Sequence, residues 1–133
     1  MPTKPPSPER PLKLEERQLI LFLLSSCPEG ERFMVGIDQY RVIEMDDGGM
    51  GSLQFGADRG GRIRRSALAE ARYEDADGVP VWIELNLDQH GDLFELDSWK
   101  VNFEPLVRIA PVEQVRLLPD SSPGPRFSFP RRS

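Results

Sequence analysis

The sequence predicts an α+β fold: one N-terminal helix packed on a mainly antiparallel sheet of four to six strands. Three observations carry this expectation. Leu19, Ile20, Leu23 and Leu24 fall at helical spacing near the start of the chain. After Pro28 the pattern changes to short apolar segments separated by glycine and aspartate turn signals. A helix followed by a run of tightly connected strands belongs to the α+β class and does not alternate as an α/β chain would.

The first element is the helix, over Leu12–Ser26. Leu21 and Phe22 broaden its apolar face, and Pro28 and Gly30 stop it. Cys27 at its end reads as an inert buried thiol, because no basic residue lies beside it to lower its pKa. "QYRVIEM" (Gln39–Met45) and "GSLQF" (Gly51–Phe55) are candidate strands joined by a glycine-built corner. "FGADRGGRIRR" reads as a basic loop. "ALAEARYED" (Ala67–Asp75) is a strand closed by "DADG". "VPVWIELNLD" and "DLFELDSWKVNF" form a hairpin around "QHG". A short helix is expected over Pro111–Leu118.

The chain of 133 residues suits one domain. Residues 1–11 hold five prolines and read as a disordered leader. Residues 12–118 form the domain, and residues 119–133, rich in Pro, Ser and Arg, read as a flexible tail. The formal charge of −5 argues against a general nucleic-acid binder and allows a basic protein partner. No apolar run is long enough to span a membrane and no signal peptide is recognisable, so a cytoplasmic location is expected.

The hairpin can be read by parity, because side chains alternate along a strand. Val81, Ile83, Leu85 and Leu87 share one face, with Phe94 and Leu96 opposite them if the loop has two or four residues. A three-residue loop would instead put Leu87 beside Leu93. The other face carries Trp82, Glu84, Asn86, Leu93, Glu95, Asp97 and Trp99. With a two-residue loop, Trp82 faces Trp99 and Glu84 faces Asp97; with a four-residue loop, Glu84 faces Glu95. Like charges so placed repel and need an offset, from solvent, a metal, a basic partner or a neighbour such as Arg72, or Lys100, although the parity of Lys100 points to the other face. Two tryptophans among acids fit a recognition surface: the rings give anchoring area and the acids steer a basic partner.

Other chemistry has little support. One histidine, His90, and one cysteine leave almost no candidates for a nucleophilic triad or a zinc site. "GGMGS" lacks the lysine and the following helix of a phosphate loop. "DQHGDLFELD" lacks the alternating oxygen ligands of an EF-hand. Asp46, Asp47, Glu84, Glu95 and Asp97 remain candidates for a carboxylate-dependent hydrolase, with or without a metal.

"EMDDGGMGSLQF" followed by "LNLDQHGDLFELDSWKVNF" resembles a family of small bacterial proteins carrying an uncharacterised domain. The resemblance covers roughly Leu12–Leu106. It carries over no catalytic residues. In size and charge such families are similar to immunity proteins that neutralise bacterial toxins, an analogy of class. The reading that follows is a non-enzymatic protein-binding module without a cofactor, in its specific form an immunity-type inhibitor with a basic toxin as partner. Its surface comprises Trp82, Glu84, Glu95, Asp97 and Trp99, with Asp46 and Asp47 at an adjoining corner. The hydrolase is the alternative.

Overall fold

The computed structural model describes residues 8–57 and 61–118. The expectations for residues 1–7 and 119–133 lie outside these. Residues Leu14–Ser25 form helix α1, which buries Leu19, Ile20, Leu23 and Leu24 on one face. Its start is fixed by Glu16, whose carboxylate accepts the Lys13 amide at 2.8 Å. A 3-10 turn over Pro28–Gly30 ends it. Gly30 is required there, since a Cβ would lie 2.0 Å from the carbonyl oxygen of Leu24. A one-turn helix, α2 (Glu31–Met34), and a second 3-10 turn (Ile37–Gln39) follow, and they place Phe33 and Ile37 in the core.

The strands are β1 (Arg10–Pro11), β2 (Arg41–Glu44), β3 (Leu53–Phe55), β4 (Arg64–Glu74), β5 (Pro80–Asp88), β6 (Leu93–Lys100) and β7 (Arg116–Leu117). They make one antiparallel sheet in the order β1-β2-β3-β6-β5-β4-β7. The three long strands form a meander at its centre. Both edge strands are only two residues long and one contains Pro11, which limits further edge pairing.

Four differences from the sequence reading have physical causes. Arg10 and Pro11 pair with Val42 and Arg41, so the fold begins within the Pro-rich leader. Arg10 holds it there, with a fork onto Glu16 at 2.8 Å and a bond to Glu44 at 3.0 Å. The basic loop ends earlier than expected, because Arg64 and Arg65 already belong to β4. The expected C-terminal helix is a 3-10 turn over Val112–Gln114 followed by β7.

The hairpin departs from simple parity. Its body has the register of a two-residue loop, with Trp82 opposite Trp99 and Glu84 opposite Asp97. Its tip is a three-residue turn, Gln89–Gly91, closed by the Asp88 amide donating to Asp92 O at 2.9 Å. Gly91 supplies the positive φ of +83° that this turn requires. A register shift between Asn86 and Leu87 reconciles the two and does put Leu87 beside Leu93. Leu93, and not Phe94, therefore joins the core; the Arg62 guanidinium lies 4.8 Å from the Phe94 ring centroid. The bulge provides an extra residue that parity counting omits.

The helix side of the sheet holds the core: Ala69, Ala71, Tyr73, Val81, Ile83, Leu85, Leu87, Leu93 and Leu96 lie in one cluster with the apolar face of α1. Each fully buried Leu or Ile contributes roughly 1.5–3 kcal/mol. The opposite side carries the row of tryptophans and acids.

Candidate functional site

The candidate face is built by three strands in register. Across β4, β5 and β6 run two rows: Arg72–Trp82–Trp99 and Glu70–Glu84–Asp97. Asn86 and Glu95 form the next pair, and Gln54 of β3 lies beside Glu95. Alternation along each strand puts all of them on the side away from α1.

Three carboxylates side by side would repel. The middle one is neutralised by Arg64, whose Nε lies 3.0 Å from Glu84 Oε1. Glu84 is almost fully buried, so its charge is spent on this pair. Asp97 accepts the Asn86 amide at 3.0 Å. Asn86 is wholly buried, and its Oδ1 has no hydrogen-bond donor. The Arg72 guanidinium lies 5.6 Å from the Trp82 ring centroid, in cation–π range. Glu70, Trp82, Glu95, Asp97 and Trp99 are all engaged in polar, ionic or ring contacts. Both indoles remain partly exposed. The Trp99 ring also meets Phe103 at 5.6 Å. Phe103 is 62% exposed and has a φ of 62°, a left-handed conformation uncommon for a residue with a Cβ. An exposed aromatic ring held in that conformation extends the apolar part of the face.

The corner Glu44–Phe55 lies elsewhere. Asp47 turns inward and accepts the amides of Met50 and Ser52, each at 3.0 Å. Gly48, Gly49 and Gly51 have positive φ, which lets the chain wrap around that carboxylate. Ser52 Oγ donates to Ser98 O, and Leu106 N donates to Gly49 O. Leu106 packs against the core, so the corner belongs to the helix side. Asp46 is exposed there. The structure thus brings Trp82, Glu84, Glu95, Asp97 and Trp99 together and leaves Asp46 and Asp47 apart. Among the described residues no group of three or more His, Cys, Asp or Glu could hold a metal ion.

A second charged cluster was not anticipated from the sequence. Lys100, with no exposed surface, lies 2.9 Å from Asp75 and 2.6 Å from Asp77, and donates to Pro105 O at 3.2 Å. Asp75 also accepts the amides of Ala76, Val107 and Arg108. These bonds more than offset the burial that would raise its pKa, so its carboxyl lies below the usual range. Lys100 is held above its usual value by the bond to Asp77, against the effect of burial. Its parity on β6 placed it on the helix side; nothing in the sequence showed that Asp75 would meet it. The cluster straps residues 101–110 across the end of the sheet.

No described helix is long and apolar enough to cross a membrane. A comparison with curated proteins and one with solved structures found no match. Residues 9–110, which include every strand of the sheet except β7, match the model of one family, and the chain belongs to that family, the domain of unknown function DUF6984.

Proposed function

We propose that this protein is a non-enzymatic binding module that recognises a basic protein segment through the face of β4, β5 and β6. The observation that carries the reading is the pairing of Trp82 with Trp99 directly beside Glu84 and Asp97. Indoles give large contact area at small entropic cost, and carboxylates around them favour Arg- or Lys-bearing partners. Glu84 sets the floor of the site through Arg64, while Glu95 and Asp97, both partly exposed, supply the negative potential. Neutralising a basic toxin, as an immunity protein does, is the specific role this surface fits. The corner residue Asp46 is exposed but lies off the face; Asp47 is spent on backbone amides.

The test is affinity capture from the source cell with the wild-type chain and with Glu95→Lys, read by mass spectrometry. Basic proteins retained by the wild type and lost with the variant support the reading. Identical retention on both, or retention of acidic proteins alone, sinks it.

A further inference from the structure

We infer that the basic residue recognised by this face is arginine rather than lysine, and that Phe103 is the side chain that selects it. The inference rests on the reading above, that the face takes a basic segment, and adds the chemistry of the cation and the place where it sits.

Phe103 stands where the backbone calls for glycine. Among the described residues, positive φ occurs at seven glycines and, of the other residue types, at Phe103 alone. A residue with a Cβ is strained at a φ of 62°. Asn102, of a type that tolerates this conformation better, stands one position earlier. The turn is nevertheless firmly made. Phe103 N donates to Lys100 O at 2.9 Å, Val101 N to Pro80 O at 3.1 Å and Glu104 N to Asn102 Oδ1 at 3.1 Å. Lys100 is itself anchored by Asp75 and Asp77. Burial does not account for a phenylalanine here, because the residue is 62% exposed. Strain that packing does not offset is a mark of binding sites.

The charges of the face decide where a cation can approach. Arg116 of β7 faces Arg72 of β4, and Arg72 lies over the Trp82 ring. The Trp82 end of the row is therefore cationic, and its ring already carries a guanidinium. A further cation is repelled there and directed to the other end. At that end the Trp99 and Phe103 centroids lie 5.6 Å apart with their planes tilted by 48°. Glu104 adjoins Phe103, is exposed, and forms no ion pair among the described residues. Residues 101–105 contain no base, and Lys100 has no exposed surface.

A ring with a carboxylate beside it takes a guanidinium better than an ammonium. The planar guanidinium stacks flat on the ring, is weakly hydrated, and still presents N–H donors at its edge. An ammonium is a compact, strongly hydrated charge that loses more solvent for the same contact. The molecule uses this pairing internally: Arg32 lies over Phe33, Arg62 over Phe94 and Arg72 over Trp82. The exposed side of Phe103, backed by Trp99, offers a partner what Trp82 offers Arg72. A lysine-rich partner is then held by charge alone, and an arginine-bearing one is preferred.

The test titrates the full chain, observed in nitrogen–proton spectra, with two peptides of equal length and charge. One alternates arginine with glycine, the other lysine with glycine. The arginine peptide should bind about two- to fivefold more tightly, with shifts at the Trp99 indole N–H and the Phe103 amide. Phe103→Leu keeps an apolar contact with Trp99 and should bring the two affinities together. Phe103→Gly should do the same and leave the melting temperature unchanged or raised. Equal affinity of both peptides for the wild type, or a preference that survives Phe103→Leu, overturns the inference. So does a fall of more than about 5 °C in Phe103→Gly, which would make the ring a packing residue of the fold. Equal affinities with shifts on the face leave the basic-segment reading standing; binding of neither peptide to the face removes both.

Discussion

The two charged regions of this molecule use similar residues in opposite ways. At the end of the sheet on the helix side, Lys100 meets Asp75 and Asp77, and Asp75 also receives three backbone amides. Lys100 and Asp75 are sealed there, with Asp77 closing the cluster at the surface. On the other side, Glu70, Glu84 and Asp97 stand in a row across three strands, and Glu84 has its ion pair with Arg64 at the margin. The first arrangement removes charge from any external partner and fixes a crossing segment. The second concentrates like charge beside two aromatic rings. Counting acids along the chain does not separate the two; burial does, since Lys100 and Asp75 are enclosed while Glu70 and Asp97 are partly exposed.

The comparison can be broken most forcefully at Asp75. Asp75→Ala takes from Lys100 its buried counter-ion, leaving only the exposed Asp77, and frees the amides of Val107 and Arg108. A loss of about 3–5 kcal/mol is expected in urea unfolding. A change under about 1 kcal/mol would show that the strap is not structural.

Acid should act through the same groups. Asp75, Asp88 and Glu16 all have folded pKa values below their ordinary values of 3.8, 3.8 and 4.5. In each, hydrogen bonds outweigh burial, which alone would raise the pKa. Those of Asp75 come from the Val107 amide and Lys100, those of Asp88 from the Asp92 amide and Arg62, those of Glu16 from Arg10 and the Lys13 amide. A depressed folded pKa contributes stability that is present above the unfolded value and lost as pH falls through the folded one. Stability measured by denaturant should therefore be flat near neutrality and fall steadily below about pH 4. A rise in stability on acidification through that range would contradict the assignment.

A smaller effect is expected at Arg64. Arg64→Ala leaves Glu84 buried between Glu70 and Asp97, at a cost of about 1–3 kcal/mol. The double variant with Glu84→Gln should recover most of it. No recovery would mean that Arg64 acts by packing alone.

Smaller again is the corner. Asp47→Ala removes two amide bonds, at about 1 kcal/mol each, while Asp46→Ala should change thermal stability by no more than about 0.5 kcal/mol. Equal effects from both would contradict the capping role. Smallest on stability is Glu95→Lys, at a partly exposed position in the pair beside the row, within about 0.5 kcal/mol, yet it should abolish capture of basic protein.

Much of this fold was legible in the sequence, for identifiable reasons. Helix α1 announced itself by Leu19, Ile20, Leu23 and Leu24, and the long hairpin by strict alternation from Val81 to Leu87. The Trp82–Trp99 pair belongs to one of the two even registers that alternation allowed, that of the two-residue loop. What escaped the sequence depends on contacts distant along the chain. Strand β1 exists because Arg10 reaches Glu16 and Glu44. The bulge at the hairpin tip inserts a residue that alternation has no means of registering. Arg64 lies twenty residues from Glu84, and its role depends on the irregular β4–β5 register. Asp46 and Asp47 are neighbours in sequence, but backbone geometry sends one outward and uses the other to hold a loop.

The central claim is that the Trp82–Trp99 face, and not the remaining acidic surface, recognises basic chain. Titrating the full-length, nitrogen-labelled protein with an arginine-rich peptide tests it most directly. The account predicts shifts concentrated at Trp82, Glu95, Asp97 and Trp99 and lost in Glu95→Lys. Shifts spread equally over exposed acids of the helical region, such as Glu29, Glu31 and Asp38, and unchanged by that substitution, would contradict it.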